Sequence, residues 1–156
     1  MFGPDDSFLS TLVSLTKRLP AYPLFGRGET RLQPAYVGDV GEAVARIMAQ
    51  AGEPAETYEL GGADTYTYVG LVRHVAQATG ARTWPVPLPF AAWKALGFAA
   101  ELLPSPPVTR NQVELMQLDN VAAPGRPGLA ELGITATPID AVLRQMGEAG
   151  TVRARR

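Results

Sequence analysis

Proline and glycine set the terms on which this chain can fold. Pro20 and Pro23, Gly52 and Pro54, Gly80, and the run Pro104, Pro106 and Pro107 divide it into short segments, none of which reads as a long strand. Asp5, Asp6 or Ser7 can cap a helix to about Arg18 with an apolar stripe of Phe8, Leu12, Leu15 and Leu19. Pro20 and Pro23 stop it, and Gly26-Arg27-Gly28 is a turn. Residues 30–37 alternate well enough for a strand, which Pro34 confines to a sheet edge or a bulge. Asp39 with Glu42 three positions on predicts a capped helix from Val40 to about Gln50.

Residues 57–60 read as a second short strand, closed by Gly61-Gly62. Thr67 caps a helix to Thr79 with Tyr68, Leu71, Val72 and Val75 on one face, and Gly80 ends it. A third strand, 83–86, leads through Pro87 and Pro89 into an apolar helix over 90–103. Thr109 and Gln112 frame a helix to about Leu118, Pro127 starts a turn ending near Gly133, and Thr137-Pro138 opens a last helix to about Glu148. Helices with a few short strands make an α/β or α+β chain. Strands this few and short cannot build a sheet covered on both faces, so chain outside this sequence is expected to complete some of their edges.

Composition removes whole classes of function. The net charge is −1, which argues against a dedicated nucleic-acid surface, since that would need a basic face. Cysteine is absent and histidine occurs once, which leaves no disulfide framework, no zinc set and no expected metal. No basic-then-apolar leader and no uninterrupted apolar run of about 18 residues appears, so neither a signal peptide nor a transmembrane span is expected. Residues 1–150 read as one domain, and 151–156, with Arg153, Arg155 and Arg156, as a solvated basic tail.

Few residues are placed for chemistry. His74 falls off the apolar face of its helix and reads as a surface histidine, so no catalytic residue is assigned. Gly26, Gly28, Gly61 and Gly62 lack the G-x-G-x-x-G spacing of a pyrophosphate turn and read as turn glycines with positive φ, so no cofactor-binding residue is assigned. Arg31 and Asp39 flank the 30–37 strand; Asp39 is most simply a helix cap, with a ligand cleft as the other reading for both. Arg110 and Asn111 sit in the first turn after Thr109, where an anion would meet N–H groups. These four are the candidate substrate-binding residues. Trp84 and Trp93 read as core or interface anchors.

The run from Arg31 to Ala43, Arg-Leu-Gln-Pro-Ala-Tyr-Val-Gly-Asp-Val-Gly-Glu-Ala, resembles a strand-to-helix segment of extended and atypical short-chain dehydrogenases. Met1-Phe-Gly-Pro-Asp-Asp is similar to the segment after that family's sixth strand, and Tyr58-Glu-Leu-Gly-Gly with Thr67-Tyr-Val-Gly-Leu-Val to its substrate-side region. Pro85-Val-Pro-Leu-Pro-Phe, Val108-Thr-Arg-Asn-Gln-Val-Glu-Leu-Met and the run from Arg126 to Pro138 resemble one subgroup, the NAD(P)H-binding accessory subunit of respiratory complex I and its bacterial relatives.

The resemblance implies the C-terminal portion of a Rossmann-type NAD(P)-binding fold, without its N-terminal nucleotide-binding half. The full-length parent would hold NADP or NAD; this chain alone would hold none. The family's Tyr-Lys dyad is absent, since no tyrosine here has a lysine four residues on. The implied function is a non-catalytic accessory or assembly protein whose partners are the N-terminal half and complex I subunits. Its implied location is the cytoplasm, or the periphery of the inner membrane, and its alanine, glycine, proline and arginine usage points to a bacterial source. The helix over 90–103 would be a docking face. The alternatives are the substrate-binding half of a sugar-nucleotide epimerase, dehydratase or reductase, in which Arg31, Asp39, Arg110 and Asn111 grip phosphate or hydroxyl groups, and a stand-alone interaction module.

Overall fold

A strand forms where Pro20 and Pro23 were expected only to end a helix. The computed structural model describes residues 1–3, 7–49, 57–100 and 110–153. Its elements are α1 (Ser7–Arg18), β1 (Ala21–Phe25), β2 (Arg31–Leu32), α2 (Val37–Ala49), β3 (Tyr66–Thr67), α3 (Tyr68–Ala78), β4 (Trp84–Leu88), α4 (Phe90–Ala100), α5 (Arg110–Leu115) and α6 (Ile139–Arg153). They group into two compact units, one of Met1–Val13, Gln33–Thr65 and Val121–Arg156, the other of Ser14–Leu32 and Tyr66–Asn120. The expectations for Asp5, Asp6, Gly52, Pro54, Leu103, Pro104 to Pro107, Thr109, Arg155 and Arg156 lie outside the described residues.

In the second unit β1 pairs in parallel with β4, Tyr22 opposite Pro85 and Leu24 opposite Pro87. The Trp84 N–H donates to the Pro20 carbonyl and the Gly26 N–H to the Leu88 carbonyl, each at 2.9 Å. Those end bonds set the phase of the ladder, so that Tyr22 and Leu24 turn their peptide groups inward and Pro23, Pro85 and Pro87 take the alternate, outward positions. A missing N–H costs the ladder nothing there. Because Pro85 and Pro87 fill those outward positions, β4 has no N–H there for a further strand.

β2 and β3 form a second two-stranded sheet, antiparallel, with Arg31 opposite Thr67. The expected 30–37 strand is thus two residues long, because Gln33 leaves the ladder to bond Gly62, its side-chain amide donating to the Gly62 carbonyl at 2.9 Å. The expected strand at 57–60 is irregular; the Glu59 N–H makes one bond, to the Pro127 carbonyl, and no ladder follows.

The helix after Thr67 forms as its spacing predicts. The Thr67 hydroxyl accepts the Gly70 N–H at 3.1 Å, and Tyr68, Leu71, Val72 and Val75 are buried. Gly80, at φ 67°, takes the left-handed conformation that follows the helix end. From α4, Trp93 packs its ring on Phe25 at 4.4 Å and donates its indole N–H to the Leu24 carbonyl at 2.9 Å. Trp84 is no anchor within its unit: it is 78% exposed. His74 is half-buried with its ring 5.4 Å from Tyr66, and is not the solvated histidine expected. α5 ends at Leu115, three residues before the expected Leu118.

The Tyr22 and Tyr68 hydroxyls share a hydrogen bond of 2.8 Å in this core. Burial pushes both above the ordinary tyrosine value near 10, and for Tyr68 the neighbouring Tyr22 adds to the rise. The unfolded chain would ionise these hydroxyls first as pH climbs. Their contribution is therefore intact below pH 10 and falls above it, at a limiting slope of about 1.4 kcal/mol per pH unit for a hydroxyl that stays protonated in the folded chain. Urea denaturation between pH 8 and 11 should show this decline, and a Tyr22→Phe, Tyr68→Phe double variant should flatten it.

In the first unit α2 starts at Val37, three residues before the expected Val40, so Asp39 lies inside its first turn rather than at the cap. Ala43 packs into a cluster with Leu129, Leu132 and Ile134, flanked by Ile47, Tyr58, Leu60 and Ala136. The Arg46 guanidinium clamps this arrangement, donating to the Leu132 carbonyl at 2.5 Å and pairing with Glu42 one turn back. In α1 the buried positions are Leu9, Leu12 and Thr16, with Phe8 exposed, so the inward stripe is turned by one residue from the expected one. α6 extends to Arg153, beyond the expected Glu148.

Candidate functional site

Arg31 stands at the start of β2, and its partner comes from far along the chain. Its backbone N–H donates to Asp119 Oδ1 at 2.8 Å and its Nε to Asp119 Oδ2 at 3.0 Å. The two-point contact holds the side chain, while roughly half of each side chain stays exposed. Beside it, Phe25, Arg27, Glu29, Thr30, Phe90, Gln117 and Asp119 line an open cleft of about 370 Å³. The Thr30 hydroxyl donates to the Met116 carbonyl at 2.5 Å, which ties β2 to the turn carrying Gln117 and Asp119. The cleft offers one cation, two carboxylates and two aromatic walls.

Arg110 and Asn111 belong to the same unit as Arg31, at the start of α5, where the Asn111 side chain is exposed. Six residues make a weak dipole, so α5 is a poor anion site on its own. Asp39 belongs to the other unit. Its carboxylate is buried, 7% exposed, and is fully engaged: Oδ2 accepts the Thr137 N–H at 2.6 Å and Oδ1 the Thr137 hydroxyl at 2.9 Å. It secures the approach to α6. The helix-capping expectation was right in chemistry and wrong in address, since the segment held is 98 residues downstream.

The same unit carries an open groove of about 620 Å³, floored by Gly61, Gly62, Leu129, Ile134 and Ala136 and edged by Glu59, Arg126 and Glu131. The Gly128 N–H, and then the N–H of Glu131 itself, hold the Glu131 carboxyl below its ordinary value. Glu59 accepts the Ala123 N–H at 2.6 Å, so both acids on this rim serve the loop over 122–131.

The glycines test whether this chain could cradle a dinucleotide. Gly26 and Gly28 take positive φ, 58° and 72°, as expected of turn residues, but the space above them holds the Phe90 ring and Val69. Gly61 and Gly62 are not positive-φ turns; a Cβ on them would strike Gln33 and the Pro34 carbonyl. All four glycines make room for protein, and none of the four opens a helix as a pyrophosphate turn does. None of these four glycines offers a nucleotide diphosphate the open backbone N–H groups it would need. Among the described residues there is also no group of three or more metal-ligating side chains, and no helix is long and apolar enough to cross a membrane.

Asp119 and the rest of the cleft were missed by sequence reading. No motif marks Asp119, 88 residues beyond Arg31. Its charge alone could have suggested it.

No family model matches the chain. It is 32% identical over 142 residues to the rat mitochondrial NADH dehydrogenase [ubiquinone] 1 alpha subcomplex subunit 9, covering 90% of this chain and 37% of that protein. The Arabidopsis thaliana protein of the same name is 31% identical over 135 residues, covering 79% of this chain and 33% of its own length. Among solved structures, the NADPH-dependent quinone oxidoreductase of Escherichia coli, complexed with NADPH, superposes with a TM-score of 0.68 at 15% identity, over 93% of this chain and 50% of that one. The fold is that of the Rossmann-like NAD(P)-binding reductases. The chain spans little more than a third of the length of the curated relatives it matches, and over that span it is a relative of the NADH dehydrogenase [ubiquinone] 1 alpha subcomplex subunit 9 proteins.

Proposed function

We propose that this chain is part of an NAD(P)H-binding accessory subunit of NADH:ubiquinone oxidoreductase, one that holds its nucleotide without turning a substrate over. The observation that carries the reading is the likeness to such subunits along 90% of the chain. The state of the candidate site residues supports it. Asp39 is spent on Thr137 and Arg31 is engaged by Asp119, so neither is poised for a substrate. The nucleotide, NADP or NAD, would be held by the portion of the relatives that this chain does not match, with residues 1–150 as the substrate-side domain. Its place would be the complex itself, peripheral to the membrane.

The test is affinity purification of the tagged whole protein from its source cells in mild detergent. Subunits of NADH:ubiquinone oxidoreductase and stoichiometric NADP(H) should co-purify, with no substrate-dependent oxidation of the nucleotide. A protein that purifies alone and oxidises NADPH with an added substrate would overturn the reading. The reductase alternative rests on the cleft of about 370 Å³ beside Arg31, which has the polarity to hold a small hydroxylated molecule.

A further inference from the structure

Between Ile134 and Thr137 the first unit holds a stretch of backbone that is tied at both ends and bare in the middle. The Ile134 N–H donates to the Leu129 carbonyl at 2.9 Å, and Asp39 holds the Thr137 N–H and hydroxyl. Thr135 and Ala136 lie between these anchors, outside any helix or ladder, and their peptide groups make no hydrogen bond to a described residue. Peptide groups left open on consecutive residues are an edge ready to pair with another backbone. Residues of an extended chain present their peptide groups to alternate sides. Whichever side faces a guest, one of the two therefore offers it an open N–H and an open C=O. The anchors also fix this edge before any guest arrives, which lowers the cost of binding.

The edge borders the open groove of about 620 Å³. Gly61, Gly62 and Ala63 line the same groove, and nothing larger than a methyl group rises from them. Gly62 is itself held, its carbonyl accepting the Gln33 side-chain amide at 2.9 Å. Residues this small let a second backbone come close. Leu129 and Ile134, 5% and 7% exposed, give apolar footing for alternate side chains of a strand. The rim supplies a charge preference. Glu59 and Glu131 accept the Ala123 and Gly128 N–H groups through Oε2, and each carboxylate keeps acceptor capacity for a guest. One guanidinium, Arg126, stands with these two carboxylates, so the rim is net negative.

We propose that this groove binds an extended segment of another protein, which adds as a strand at residues 135–136 and sets a lysine or arginine against Glu59 and Glu131. Its alternate apolar side chains lie on Leu129 and Ile134. The main-chain bonds give affinity, and the two acids select the sequence. The groove and the cleft beside Arg31 belong to different units, and the proposal asks nothing of the nucleotide. It therefore stands or falls apart from the accessory-subunit reading.

The test uses the whole protein and a fluorescently labelled peptide, acetyl-Val-Lys-Val-Lys-Val-amide, read by anisotropy. The peptide should bind, and at saturation the amide of Thr135 or Ala136 should exchange with deuterium more slowly. The same peptide with glutamate in place of lysine should bind about tenfold more weakly, as should the lysine peptide to a Glu59→Gln, Glu131→Gln double variant, which keeps acceptors for the loop N–H groups. Two further copies of the lysine peptide carry N-methyl groups at either the lysine or the valine nitrogens, and at least one of them should lose about tenfold in affinity. No binding, equal binding of the lysine and glutamate peptides, or undiminished binding of both methylated copies would overturn the proposal. A photo-crosslinking residue at position 63 or 130, both exposed, then reads the occupant in the source cells. The crosslinked segment should belong to another protein and alternate basic with apolar residues. Crosslinks confined to a second copy of this chain, to segments without a basic residue, or absent at both positions would also overturn it.

Discussion

Asp39→Ala is expected to destabilise the chain by about 3 kcal/mol, because it leaves the Thr137 N–H and hydroxyl without the ionised acceptor that both now use. The two bonds have different fates. The hydroxyl can rotate to find water or a carbonyl, whereas the peptide N–H cannot turn, so most of the loss falls on the 2.6 Å bond. Asp39→Asn keeps a neutral acceptor for one of the two donors and should cost about half as much. Urea denaturation of the three proteins decides the matter. If Asp39→Ala is as stable as the parent, the carboxylate is not the clasp described and a ligand-gripping role returns to it.

The second large effect is expected at Gly62. A Cβ there would lie 1.6 Å from the Pro34 carbonyl oxygen and 2.6 Å from its carbon, both backbone atoms that no rotamer change can move. Gly62→Ala must push the 33–35 segment away from the 61–62 segment and break the close approach in which Gln33 bonds Gly62. The cost should be about 3 kcal/mol or more, at the upper end of overpacking. Gly61→Ala gives the internal control. The nearest atoms to its Cβ are those of the Gln33 carboxamide, a side-chain end that can shift at the expense of its bonds to Gly62 and Ala122, so the loss should be smaller, about 1–2 kcal/mol. Equal melting temperatures for the two variants would show that the close approach is not what glycine serves here.

Both cases show how much local sequence logic can reach. Where structure depends on residues a few positions apart, the reading was right: Thr67 caps α3, Tyr68, Leu71, Val72 and Val75 face inward, and Gly26, Gly28 and Gly80 take positive φ. Where it depends on a partner far along the chain, the reading failed. Asp39 looked like the cap of its own helix because a capping box is a local pattern, and its true partner is Thr137. Gly61-Gly62 looked like a turn because positive φ is the commoner use of paired glycines, and the real reason is Pro34 and Gln33. Pro20 and Pro23 were expected only to end a helix, and β1 with β4 shows that proline in alternate positions is compatible with a ladder once the phase is set.

The candidate site divides in the same way. Arg31 could be picked out because arginine at a strand start carries the right chemistry. Asp119, Glu29 and Gln117 could not, because their meeting with it depends on the path of the chain through β2 and the turn after α5. The family, by contrast, was legible in the sequence, since the likeness runs through contiguous segments and survives whatever their tertiary contacts are.

By itself, the sequence determined where helices form, the Thr67 cap, the class of fold and the kin of this protein, because each is written in neighbouring residues through backbone hydrogen bonding and periodic burial. Only the tertiary structure decided which apolar faces are covered, which carboxylate meets which donor and why Gly61 and Gly62 are glycine. Burial and close approach are properties of two segments at once, and neither segment carries the address of the other.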